Sequence, residues 1–146
     1  MVDAAQTLMR LRLDQYKDGI PDMAAVEISA TSFLVEDKIW KAQTAVQQMQ
    51  TIQLIYDLVN FAAAHVDGAS LPDKQELAQI LKREGGSFMV VGQWMNLPAI
   101  EPVARQLTTV SANTSQDDVF KRIHQISPVL RSIPAFKELK EPTTQP

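Results

Sequence analysis

Residues 22–67 read DMAAVEISATSFLVEDKIWKAQTAVQQMQTIQLIYDLVNFAAAHVD, forty-six consecutive positions without glycine or proline, bracketed by Gly19-Ile20-Pro21 and Gly68. Those two residue types punctuate regular structure, so their absence over this length predicts one very long helix or two joined by a small irregularity. Ile28, Ser32, Val35, Ile39, Ala42, Val46 and Met49 recur at alternating steps of four and three. After one extra step of three, Ile52, Tyr56, Val59, Ala63 and Val66 continue the seam. This is an apolar helical stripe with a single register shift. It predicts an all-α helical bundle organised around a long central helix at about 22–67, with shorter helices packed on it. Ser29, Thr31, Ser32 and Phe33 are weak helix formers and place the expected kink between about 29 and 37.

Outward from this spine, Asp3 and Gln6 have capping-box spacing, and Ala5, Met9, Leu13, Tyr16 and Ile20 share one face. A first helix is expected at about 4–18, and Asp22 as the cap of the next. After Gly68, Ser70 and Asp73 open a helix that Gly85-Gly86 is expected to end. Residues 87–95, SFMVVGQWM, carry strand-favouring valines and aromatics, but nothing else in the chain offers a strand to pair with them. They are expected to form a short buried helix. Asn96 is then the expected cap of a helix reaching about Thr109, and further helices follow from Thr114 or Ser115, from Ser127-Pro128 and from Ile133-Pro134. A single domain is expected over 1–140, with an extended or disordered tail at 141–146.

Composition narrows the functional classes. The chain has 146 residues, a formal net charge of −3 and no cysteine. Its length suffices for a core without disulfides or a metal, and thiolate chemistry is excluded. Fourteen Lys and Arg are scattered rather than massed, which argues against nucleic acid as a partner. No apolar run predicts membrane insertion or export, so a cytoplasmic location is expected. Catalytic signatures are missing: there is no HExxH, GxxxxGK[ST], GxGxxG or GxSxG. His65 and His124 read as capping or surface histidines. Gly85-Gly86-Ser87 could receive an anion at a helix start, although a C-cap explains it more simply. The adjacent acids Glu36-Asp37 and Asp117-Asp118 point about 100° apart on a helix and read as surface partners of Lys41, Lys121 and Arg122.

What remains is a pattern of missing charge. From Ala42 to Val66 the acidic and basic side chains reduce to Asp57, with Gln43, Thr44, Gln47, Gln48, Gln50, Thr51, Gln53 and Asn60 in the polar positions; from Gly85 to Gln116 they reduce to Glu101 and Arg105. Such faces belong either inside a bundle or under a partner. The expected function is therefore a non-enzymatic interaction or assembly subunit, binding a protein partner or further copies of itself, with Gln47, Gln50, Trp94 and Met95 at or near the contact. No catalytic residue, metal site or cofactor is expected. The alternative is a small-molecule or cofactor-binding bundle with a hollow core lined by Trp40, Tyr56, His65 or Trp94.

Overall fold

The computed structural model describes residues 1–16 and 19–134. Among them the chain forms eight helices: α1 (Val2–Asp14), α2 (Ile20–Leu34), α3 (Asp37–Ala42), α4 (Ala45–Ala64), α5 (Leu71–Trp94), α6 (Ile100–Thr108), α7 (Gln116–His124) and α8 (Ile126–Arg131). No strand occurs among the described residues, and the protein is an all-α bundle. The expected tail at 141–146 lies outside them, as do Phe136 and Leu139.

The stretch 22–67 is three helices rather than one. The break expected between 29 and 37 falls after Leu34, where Val35 caps α2 and Glu36 turns extended. A second break at Gln43-Thr44 was not anticipated. There the Thr44 hydroxyl accepts from the Gln47 amide N–H at 3.1 Å, and the Gln47 side chain accepts from the Thr44 N–H at 2.9 Å. This reciprocal capping box satisfies donors that a helix start would otherwise leave bare. The break also moves the buried face. In α2 the core side holds Ile20, Met23, Ala24, Glu27, Thr31 and Leu34, while Ser32 is exposed and Ile28 only half-buried. Ala42 and Val46 are exposed as well. The second half of the predicted seam is correct: Ile52, Tyr56, Val59, Ala63 and Val66 are all buried.

The longest helix is α5, which runs unbroken through Gly85-Gly86 and absorbs the segment 87–95. These glycines do not end it. A Cβ at Gly85 would lie 2.9 Å from Leu107 Cβ and 3.0 Å from the Ala104 carbonyl oxygen; at Gly92 it would overlap the Ile100 side chain. Both glycines let α6 lie directly against α5, a contact that outweighs the weak helix propensity of glycine. The stop comes at Asn96, which takes φ 53°. The Leu97 N–H donates to the Gly92 carbonyl at 2.8 Å and the Asn96 N–H to that of Gln93 at 3.2 Å, the pairing of a Schellman end. Asn96 thus closes α5 instead of opening α6, whose cap is Ala99.

Two helices, α4 and α5, form the centre. α1 packs on α4 and α2, α2 packs on α5, α6 covers α5, α7 covers α4, and α8 packs on α6 and α7. The core includes Met9, Met23, Ile55, Tyr56, Leu58, Leu77, Phe88, Ile100 and Ile123, each almost wholly removed from solvent. A fully buried side chain of this kind contributes about 1.5–3 kcal/mol, so the centre dominates stability. No helix among the described residues is long and apolar enough to cross a membrane.

Candidate functional site

The amides and threonines of α4 are engaged within the chain. Gln6, buried on α1, donates to the Gln47 carbonyl at 2.8 Å and to the Thr51 hydroxyl at 3.0 Å. Thr51 donates to Gln43 Oε1 at 2.7 Å, and Gln43 Nε2 donates to the Leu34 carbonyl at 2.7 Å. A continuous polar relay therefore ties α1, α4 and the end of α2. Asp3, expected as a cap of its own helix, instead accepts from Gln47 Nε2 at 3.0 Å. Gln48 donates to the Trp40 carbonyl at 3.0 Å and Gln53 to Asp57 at 2.8 Å. Asp57 also binds Arg10 at 2.6 Å. The missing charge of α4 thus matches its place at the centre of its own bundle.

Of the four residues expected at a contact, Gln47 is half-buried and occupied by the capping box and Asp3. Gln50 is exposed on the wall of a groove between α1 and α4. Trp94 and Met95 belong to a different neighbourhood. Trp94 is 37% exposed, its indole N–H donates to the Val35 carbonyl at 3.2 Å, and the Lys41 ammonium lies 5.4 Å from its ring. Met95 is half-buried against the core.

Helix α1 is flanked by two grooves. The α1–α4 groove encloses about 490 Å³ and is polar, lined by Asp3, Gln6, Thr7, Arg10, Gln50 and Gln53 with Leu11 and Leu54. The α1–α2 groove encloses about 570 Å³ and is apolar: Met1, Ala4, Ala5 and Leu8 face Ala25, Val26, Ala30 and Phe33, with Ser29 its one polar side chain. Neither contains Trp40, Tyr56, His65 or Trp94. Trp40 and Tyr56 are packed in the core, and His65 stacks against Phe61 and Tyr16 with ring centroids 4.1 and 5.5 Å away.

The other chemically distinctive feature is a pair of buried acids. Glu27 on α2 and Glu84 on α5 are each 0% exposed. Glu84 Oε1 accepts from the Ser87 hydroxyl at 3.2 Å. Its Oε2 and both oxygens of Glu27 have no hydrogen-bond partner among the described residues. Burial pushes the Glu27 carboxyl up to about 8, opposed by the nearby Arg12 and then Arg10 guanidinium groups. Burial likewise raises Glu84 to about 8. The Thr31 hydroxyl beside it and the hydrogen bond from Ser87 oppose that shift, the Glu27 charge adds to it, and Arg83 opposes it. Near neutral pH both acids are held largely in the neutral form. Sequence reasoning missed them, although each occupies a stripe position: Glu27 lies between Met23 and Leu34, and Glu84 between Leu81 and Phe88.

The remaining candidates are surface features. Asp37 pairs with Lys41 at 2.7 Å, Asp118 with Arg122 at 3.1 Å, and Glu101 with Arg105. His124 is exposed. Gly85-Gly86-Ser87 is interior to α5 and presents no helix start to an anion. No group of three or more His, Asp or Glu among the described residues is arranged to hold a metal ion. Comparison with protein-family models, curated proteins and solved structures yields no match to this chain.

Proposed function

We propose that this protein is a non-enzymatic assembly subunit that associates with a second copy of itself through the face carrying α1 and the α1–α2 groove. The observation that supports this reading is the groove itself, about 570 Å³ lined without a single charged side chain, on a chain that elsewhere carries surface ion pairs such as Asp37–Lys41 and Asp118–Arg122. Open apolar grooves of this kind mark contact sites. The occupant is taken to be a second copy because the same face supplies a ridge as well as a groove: Leu8 is 44% and Leu11 50% exposed along the outer edge of α1. A two-fold contact requires such a self-complementary patch. Gln50, on the wall of the α1–α4 groove, would lie at the rim of the contact. The proposed setting is the cytoplasm, which a cysteine-free chain permits. The ligand-binding alternative gains no support from the core, where Trp40 and Tyr56 are closely packed.

Sedimentation velocity from 1 to 200 µM tests the proposal. A concentration-dependent dimer is expected for the natural sequence, and a monomer with unchanged helical circular dichroism for Val26→Glu or Leu8→Glu. A natural chain that stays monomeric throughout would refute self-association, and a dimer unaffected by both substitutions would place the contact elsewhere.

A further inference from the structure

We propose that Glu27 and Glu84 form a proton-operated latch: α2 stays packed against α5 while the two buried carboxyls are protonated, and their ionisation releases α2 from the α4–α5 centre. The inference is independent of what occupies the α1–α2 groove. It rests on the two acids standing on opposite sides of one helix–helix interface, fully buried, with three of their four oxygens unpartnered among the described residues. Neutral carboxyls tolerate that setting, whereas two carboxylates there would be desolvated and mutually repelling.

The surrounding charges do not compensate for both acids. From α1, Arg12 and Arg10 face Glu27, but Arg10 is shared with Asp57 and Asp14. α4 contributes only Asp57 to the charge around the bundle centre. On α5 the weak influence is Arg83, which is itself exposed. α3 and α6 keep their charges in the surface pairs Asp37–Lys41 and Glu101–Arg105. Since both acids titrate above their ordinary range, the protonated form that suits burial prevails at low pH and is lost as the pH rises through about 8.

The fold also supplies a reporter. The Trp94 indole, at the end of α5, donates to the carbonyl of Val35, the residue that caps α2. Departure of α2 must break this bond and alter the indole environment. Replacing the other tryptophan, as Trp40→Phe, leaves Trp94 as the sole tryptophan, read by excitation to the red of tyrosine absorption.

Two measurements on the full chain between pH 6 and 9.5 decide the matter: Trp94 emission in the Trp40→Phe variant, and backbone hydrogen exchange of the natural sequence, corrected for intrinsic rates and read helix by helix. Expected are an emission change as the pH rises from 6 to 8 and exchange in α2 at least tenfold faster at pH 8 than at pH 6, with α4 still protected. Glu27→Gln/Glu84→Gln, which keeps shape and removes titration, is expected to abolish both changes. The proposal fails if α2 protection is independent of pH, if α4 loses protection together with α2, or if the transition persists in the double variant. The exchange measurement needs no substitution, so it decides even if Trp40→Phe does not fold.

Discussion

Two buried polar clusters lie within this small bundle and solve the same physical problem in opposite ways. Between α1 and α4, Gln6, Thr51 and Gln43 hand donors to acceptors in sequence until the Leu34 carbonyl closes the relay. Between α2 and α5, Glu27 and Glu84 are equally removed from water, yet most of their oxygens meet no donor among the described residues. Neutral amides and hydroxyls can each both give and accept, so a short chain of them satisfies itself at any ordinary pH. A carboxyl pair cannot do so without a proton. The first cluster therefore acts as a fixed tie, and the second makes its interface dependent on pH.

The largest expected effect follows from that difference. Folded-state values near 8 exceed the ordinary carboxyl value of 4.5, so the native chain binds more protons than the unfolded chain between those limits. Stability should fall as pH rises from about 4.5 to 8, with a slope of at most about 1.4 kcal/mol per pH unit for each acid, and level off above. Urea midpoints measured at pH 5, 6, 7, 8 and 9 would show this; a flat profile over pH 5–8 would remove the distinction between the clusters.

Breaking the satisfied cluster should have an effect that does not depend on pH. Thr51→Val keeps the shape but takes the donor from Gln43 Oε1 and one of two acceptors from Gln6 Nε2, with an expected loss of about 1–3 kcal/mol in chemical denaturation at both pH 5 and pH 8. A loss below about 0.5 kcal/mol would mean that water or rearranged amides replace the hydroxyl easily.

The opposite sign is expected in the acid cluster. Glu84→Gln removes one titration, so the variant should exceed the natural sequence by on the order of 1–2 kcal/mol at pH 9 while matching it near pH 5. Destabilisation at both pH values would show that Glu84 is held by specific contacts rather than tolerated as a neutral acid. The smallest effect is a control: Gln50, exposed on the α1–α4 groove, should accept Lys within about 0.5 kcal/mol, whereas its neighbour Thr51 should not accept Val so cheaply.

Much of this architecture was legible beforehand. The seam from Ile52 to Val66, the surface pairs Asp37–Lys41 and Glu101–Arg105, and the serine cap at Ser70 follow from spacing alone, because each depends on neighbours within one or two turns. The α4 capping box was equally local and was overlooked, since the absence of glycine and proline suggested continuity through Thr44. The stripe in α2 was misplaced for another reason. Ile28 looks more apolar than Glu27, and a shift of one residue turns a helix by about 100°, although Val35 is buried as the seam predicted. Only the packing of α5 against α2 selects the face that contains an acid.

The sequence by itself determined that this chain is helical and where most of its turns of helix begin, because caps and apolar periodicity are short-range interactions. Tertiary structure decided what distance along the chain hides: that Gly85 and Gly92 seat α6 instead of ending α5, that the amides of α4 face α1, and that two acids fifty-seven positions apart meet across one interface. Each of these turns on which surfaces the folded chain brings together, and burial, which sets both the packing and the proton affinity of those acids, exists only once it has done so.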